Sequence, residues 1–447
     1  MPHGSYYMKT LLKSFIKISS GIFFSFLFSS AVYSSTYVMD SNLHPFSSPL
    51  PSVVAGGSYV DSSFGTIVTR ITDVKGGNPA GLTSNGITNE YARFDPDNSD
   101  GTLLILRGTN ATWFIYNAKT NAFIKKISLA GDIEPRWHAT DPDIFFYVKG
   151  PRFYQYHVST DTSDLLYDFT KDYPTATIVS GKGESDGSLN SKYWAFVVSS
   201  GSGDLDWVTF DATTKSIIAS YKNVTGLNPT NTNTVTMSMT GDYVLVETDP
   251  TQVCNRDWTN CHNLGTASRG HGDLALSADG RDMFVSQNSS TDWIDGVYLD
   301  TGDSINIKKI DFSTANYTGL HISGNNASTP GWVLISTYGS GDATAWSDGA
   351  LYMQELAPNG RHWLIAHTNA QLAGGGKDYW AEAFAAINRE GTAVYWGSNW
   401  GITGEDYADV YKASLPSTWF SDLSPGAPAG DTTPPAVPGT PTVTYTP

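Results

Sequence analysis

Six ionisable residues, Glu90, Glu134, Glu184, His271, His321 and Glu382, each stand shortly before a turn and an apolar run. In the two clearest copies, His271-Gly-Asp-Leu-Ala-Leu-Ser-Ala-Asp-Gly280 and Glu382-Ala-Phe-Ala-Ala-Ile-Asn-Arg-Glu-Gly391, nine residues separate the ionisable group from the turn glycine. Imidazole is a base near neutral pH and a metal ligand, and a carboxyl group lifted by burial is an acid. Arg93 and Arg136 follow two of the glutamates, and Asp186 and Asp273 sit in the same phase. Together these groups suit proton abstraction beside a carboxylate: Arg93 or Arg136 would hold the anion, and His271 or His138 would take the proton. Binding through Glu90, Glu134, Glu184 and Glu382 would need no base. Polar residues at such positions also bond to neighbouring backbone or trapped water, and that role competes at each one.

Residues so distant in sequence share a site only if the fold returns the chain repeatedly to one place. The pattern recurs at roughly 45–60 residue intervals, the mark of propeller blades. Looser copies are Asn89-Glu90-Tyr91-Ala92-Arg93 before Asp100-Gly101, Glu134-Pro-Arg-Trp-His, Glu184-Ser-Asp-Gly, Met237-Ser-Met-Thr-Gly-Asp and His321-Ile-Ser-Gly-Asn-Asn. With the two clear copies they make seven, each read as an innermost strand, a hairpin turn and a second strand. The expected fold is all-β, a seven-bladed β-propeller over residues 57–423, with an eighth blade or a small extra β-domain as the alternative. Radial repetition seals the strand edges, and it would gather the six ionisable residues at one mouth of the central channel.

Composition agrees with strands joined by tight turns: of 447 residues, 43 are Gly and 13% are aromatic, while only 16% are charged. The formal charge of −16 excludes a nucleic-acid partner, which would demand clustered Lys and Arg. Lys9, Lys13 and Lys17 precede the apolar run Gly21 to Val32 and small residues at Ser34 and Ser35, the pattern of a secretory signal peptide over residues 1–35. That run is too short to favour a membrane span, and none follows. The expected location is therefore secreted, periplasmic or extracellular. Residues 36–56 read as a lead-in. Residues 424–447, rich in Pro and Thr, read as an extended linker to an accessory domain. Cys254 and Cys261 are expected to form one local disulfide, the alternative being metal ligation with His262.

Trp137, Trp380 and Trp400 could stack on a sugar ring, although most tryptophans pack cores. Asp95-Pro-Asp-Asn-Ser-Asp-Gly101 loosely resembles a calcium loop but lacks the bidentate Glu, so a solvated hairpin is the competing reading. His157, His362 and His367 fall on expected outer strands, facing solvent. No P-loop or dinucleotide glycine fingerprint is present.

Glu134-Pro-Arg-Trp-His, Gly270-His-Gly-Asp and Tyr379-Trp-Ala-Glu-Ala-Phe-Ala-Ala-Ile-Asn-Arg-Glu-Gly resemble the secreted seven-bladed propellers grouped with TolB-like repeats, among them the oligogalacturonate lyases. The resemblance is one of repeat style and implies a divalent metal, Ca or Mn/Zn, held at the channel mouth while a base removes the proton beside a uronate carboxylate. His271 and His321, with Asp273, would supply that metal site. Related propellers often carry a histidine two residues after the blade-seven glutamate, where this chain has Phe384. The expected function is an extracellular carbohydrate-active propeller, a polysaccharide lyase acting by β-elimination on a uronate-containing polysaccharide or oligosaccharide. The alternative is a non-catalytic glycan- or protein-binding propeller.

Overall fold

The apolar runs on either side of each turn form strands in the computed structural model, which describes residues 37–424 except 78, 80–81, 83, 222–232, 266–268, 311–316, 340–342 and 374–377. Gly280 and Gly391 close their hairpins at φ +80° and +69°, a conformation that side chains with a Cβ resist. The described residues make seven antiparallel sheets, which settles the blade count at seven. The innermost strands of blades 1 to 7 are Ile87–Thr88, Arg136–Trp137, Ile178–Ser180, Thr234–Met237, Arg269–Leu276, Tyr317–Ser323 and Ala386–Ile387. In blades 1 to 6, three further strands follow outward in chain order. The one α-helix among the described residues is the single turn Trp419–Asp422.

Apolar faces of neighbouring blades form the core. Between blades 2 and 3, Phe146 and Phe153 pack against Trp194, Phe196 and Phe210. Cys254, on the third strand of blade 4, is bonded to Cys261 as expected.

Blade 7 is built from both ends of the propeller. Its inner strands Ala386–Ile387, Ala393–Ser398 and Asp409–Ser414 come late in the chain, and Ile67–Arg70 and Ser58–Val60 complete the sheet outward. The lead-in also docks: Val38 bridges to Leu364 on the outermost strand of blade 6. This corrects the expected solvent exposure of two histidines. His362 Nε2 donates to Asp40 O at 2.8 Å, and His367 lies between His44 O at 2.9 Å and the Asp61 carboxylate at 3.0 Å. His157 remains partly exposed beside Asp164. The expected signal peptide and nearly all of the expected linker lie outside the described residues. No helix among the described residues is long and apolar enough to cross a membrane.

Candidate functional site: the channel mouth

His271 owes its position to a bulge. Pairing of the inner strand of blade 5 with Asp282–Asn288 slips between Gly270 and Asp273, and His271 takes φ +43°. Such a bulge re-aims a side chain, here leaving His271 exposed. A Cβ at Gly272 would lie 2.6 Å from Phe284 and Ser286, so the following position has room for glycine alone.

His321, on the inner strand of blade 6, is only 2% exposed. Its ring meets His271 edge-on at 5.1 Å, stacks on Tyr338 at 5.0 Å and touches Tyr91 and Phe384. Burial, His271 and Arg93 hold its pKa well below the ordinary histidine value, and its Nδ1 has no hydrogen-bond partner. Desolvation, with Arg93 close by, also lowers His271. Both imidazoles are therefore neutral at pH 7. Glu382 follows the short 3-10 turn Tyr379–Ala381, and burial raises its carboxyl to about 7. Tyr379 is 46% exposed, and Trp380 lies under the Arg107 guanidinium at 4.6 Å.

The glutamates of blades 1 to 3 reach the same region. Glu90 pairs with Arg136 at 2.9 Å, and burial, opposed by Arg136, raises it to about 7. Arg93 bridges Glu247 at 2.6 Å and Glu184 at 3.0 Å. Glu184 and Glu382 both act electrostatically on Tyr379, and Arg107 acts on both Tyr379 and Glu90, which links the two sides of the mouth.

Several expected site residues have structural partners instead. Glu134 accepts Gly181 N–H at 2.8 Å and Gly183 N–H at 2.9 Å, clamping blade 2 to blade 3. Asp273 accepts Gly324 N–H at 2.7 Å and Leu274 N–H at 2.8 Å, so its carboxylate is turned to backbone. His138 lies beyond Arg136 toward the opposite end of the blade, where its Nδ1 accepts from Thr140 and Asp141 and caps the turn. Trp137 donates to Pro96 O, and Trp400 donates to Pro51 O while stacking on Tyr411. In the Asp95–Gly101 segment the carboxylates diverge: Asp95 accepts Arg389 N–H, Asp97 accepts the Tyr395 hydroxyl, and Asp100 caps its own turn. That segment is a hairpin.

Among the described residues, no three His, Cys, Asp or Glu side chains assemble as metal ligands. His271 and His321 come together, but Asp273 is engaged elsewhere and Phe384 fills the third wall. Glu247, Tyr91 and Tyr338 complete the mouth and were not singled out by sequence. One signal for Tyr338 was Gly319, its register partner, where any Cβ would collide with the Tyr338 hydroxyl.

These shifts predict a pH dependence of stability. Glu90 and Glu382 at about 7 and Asp273 at about 8 lie above ordinary carboxylates, so the stability they contribute is lost as pH rises through those values. The lowered histidines oppose this only below their ordinary value of 6.5. Melting temperature should therefore fall between about pH 6.5 and 8, and Asp273→Asn should flatten the slope in a thermal-shift series.

No protein-family model matches the chain, and no curated protein sequence does. Solved structures do resemble it. An oligogalacturonate lyase from Vibrio parahaemolyticus superposes with a TM-score of 0.57 at 14% identity, over 81% of this chain and 97% of that one. An oligogalacturonate lyase in complex with manganese gives 0.57 at 14% identity, over 80% and 96%. The chain shares the seven-bladed propeller fold of the oligogalacturonate lyases.

Proposed function

We propose that this protein is an exported, carbohydrate-active propeller that cleaves a uronate-containing glycan by β-elimination at the His271 mouth. The observation that carries this reading is that a neutral, exposed His271 meets the His321 ring at 5.1 Å while Glu382, whose carboxyl is held near 7, meets His321 through its backbone. His271 would take the proton from the carbon bearing the uronate carboxylate. The electron pair forms the ring double bond and expels the glycosidic oxygen, which Glu382 protonates. Arg93, close enough to lower His271, would stabilise the charge that develops on the carboxylate. Both side chains then exchange a proton with solvent.

The manganese of the second lyase is not carried over. Two imidazoles face each other here and, among the described residues, no third side-chain donor joins them, so every step above rests on side chains of the chain itself. A second reading, glycan binding without chemistry, is favoured by the engagement of both buried arginines with glutamates.

The test is the ultraviolet absorbance of unsaturated uronate ends on a panel of uronate glycans, with metal analysis of the same preparation. His271→Ala should retain the fold and lose roughly 10²–10⁴-fold in turnover. Glycan binding without any unsaturated product would transfer the assignment to the binding module.

A further inference from the structure

We infer that the exposed Tyr379 ring is the subsite of the leaving sugar: a pyranose lays its C–H face on that ring while the uronate lies at His271. This rests on the β-elimination reading and deepens it by giving the departing sugar a place.

Among the described side chains, Tyr379 carries the one aromatic ring that is exposed, at 46%. A single exposed ring on a plain surface would mean little. This one is fixed in place at the mouth. It meets Trp380 edge-on at 5.1 Å and Phe384 at 5.1 Å. Its turn is anchored by Asp378, which is fully buried at φ +69° and whose carboxylate accepts N–H from Ala373 at 3.0 Å and from Gly404 at 2.7 Å. A platform ordered in advance spends little of its contact energy on being ordered by the ligand. Trp380, the platform expected from sequence, is instead half-buried under the Arg107 guanidinium.

The same turn carries the acid. Glu382 N–H donates to Tyr379 O at 3.1 Å, and the Glu382 carboxyl acts electrostatically on the Tyr379 hydroxyl. In the elimination, the C5 proton goes to His271, the C4–C5 double bond forms, and the bond from C4 to the glycosidic oxygen breaks. That oxygen leaves with the Glu382 proton. The sugar attached to it therefore lies beside the turn that holds Glu382 and Tyr379. Phe384 and His321 stand between Tyr379 and His271, with successive ring contacts of 5.1, 4.7 and 5.1 Å. Two adjoining sugars, one over each end, span that row of rings.

The experiment uses two probes in both the galacto and gluco series: a uronate methyl glycoside bearing a hexopyranose on its 4-oxygen, and the same uronate bearing methyl there. Both release the same unsaturated uronate, read by ultraviolet absorbance. Tyr379→Ala should lower the ratio of kcat/KM for the hexosyl probe to that for the methyl probe about tenfold, the scale of a lost aromatic contact. Tyr379→Phe, which keeps the ring, should preserve the ratio. A ratio unchanged in Tyr379→Ala, whether both probes slow together or neither does, would overturn the inference and leave the lyase reading intact. No unsaturated product from the parent protein on either probe or on any uronate polymer would sink both.

Discussion

Replacing Arg93 with methionine is expected to destabilise the folded protein by about 3–5 kcal/mol, because removing one partner of a buried ion pair leaves the others uncompensated. Arg93 is 4% exposed and its guanidinium meets Glu247 at 2.6 Å and Glu184 at 3.0 Å. It projects from the segment after the inner strand of blade 1, whereas Glu184 belongs to blade 3 and Glu247 ends the second strand of blade 4. One side chain thus ties three blades across the channel. Methionine keeps the length but leaves the two carboxylates together without their shared cation, and Glu184, already raised by burial and held down by Arg93, must then take up a proton more readily. The deficit should accordingly be large at about pH 8 and shrink toward about pH 5, as protonation removes the repulsion. Adding Glu184→Gln and Glu247→Gln to the variant should recover most of the loss. Urea unfolding at the two pH values reads all three outcomes. An Arg93→Met protein as stable as the parent at pH 8 would mean that water screens this cluster, and would undercut the electrostatics assigned to the mouth.

What the sequence disclosed was the phase of the repeat. The nine-residue interval before Gly280 and Gly391 located inner strands, and the same phase brought His271, His321 and Glu382 to one mouth. Hairpin turns and period-two strands are local, so they leave a local record. Closure of the ring left none, because Ile67–Arg70 pairs with Tyr411–Ser414, more than three hundred residues later. His362 and His367 were misjudged for a related reason. Their strand is outermost within its blade, but the lead-in returns to cover it through Val38, Asp40 and His44. Side-chain direction was equally hidden. His138 shares a motif with Arg136, yet it lies two residues farther on, just past the strand, where two backbone N–H groups claim its Nδ1. Asp273 has the phase of a ligand and the partners of an inter-blade clamp.

The ring closure gives the second large effect. Asp409 is fully buried on the third strand of blade 7, and four groups converge on its carboxylate. Arg70 Nη2 donates at 2.5 Å, Thr72 Oγ1 at 2.6 Å and Val74 N–H at 3.0 Å, and the Tyr407 hydroxyl donates as well. Three of the four donors come from the N-terminal segment, so this carboxylate is the chemical link between the two ends of the propeller. Asp409→Ala would strand a guanidinium and several buried donors at once, at an expected cost of about 3–5 kcal/mol. Asp409→Asn retains the acceptor oxygen but loses the charge that Arg70 matches, and should cost less. The loss should appear locally before it appears globally, since Ile67–Arg70 and Ser58–Val60 contribute only the outer part of blade 7. Hydrogen exchange on Asp409→Ala should show the amides of residues 67–70 opening faster than those of blades 2 and 3, with the newly bared edge of Asp409–Ser414 exchanging next. Uniform acceleration across all seven blades would instead mean that the ring opens only with global unfolding, and that the N-terminal strands are no weaker than the blades they close.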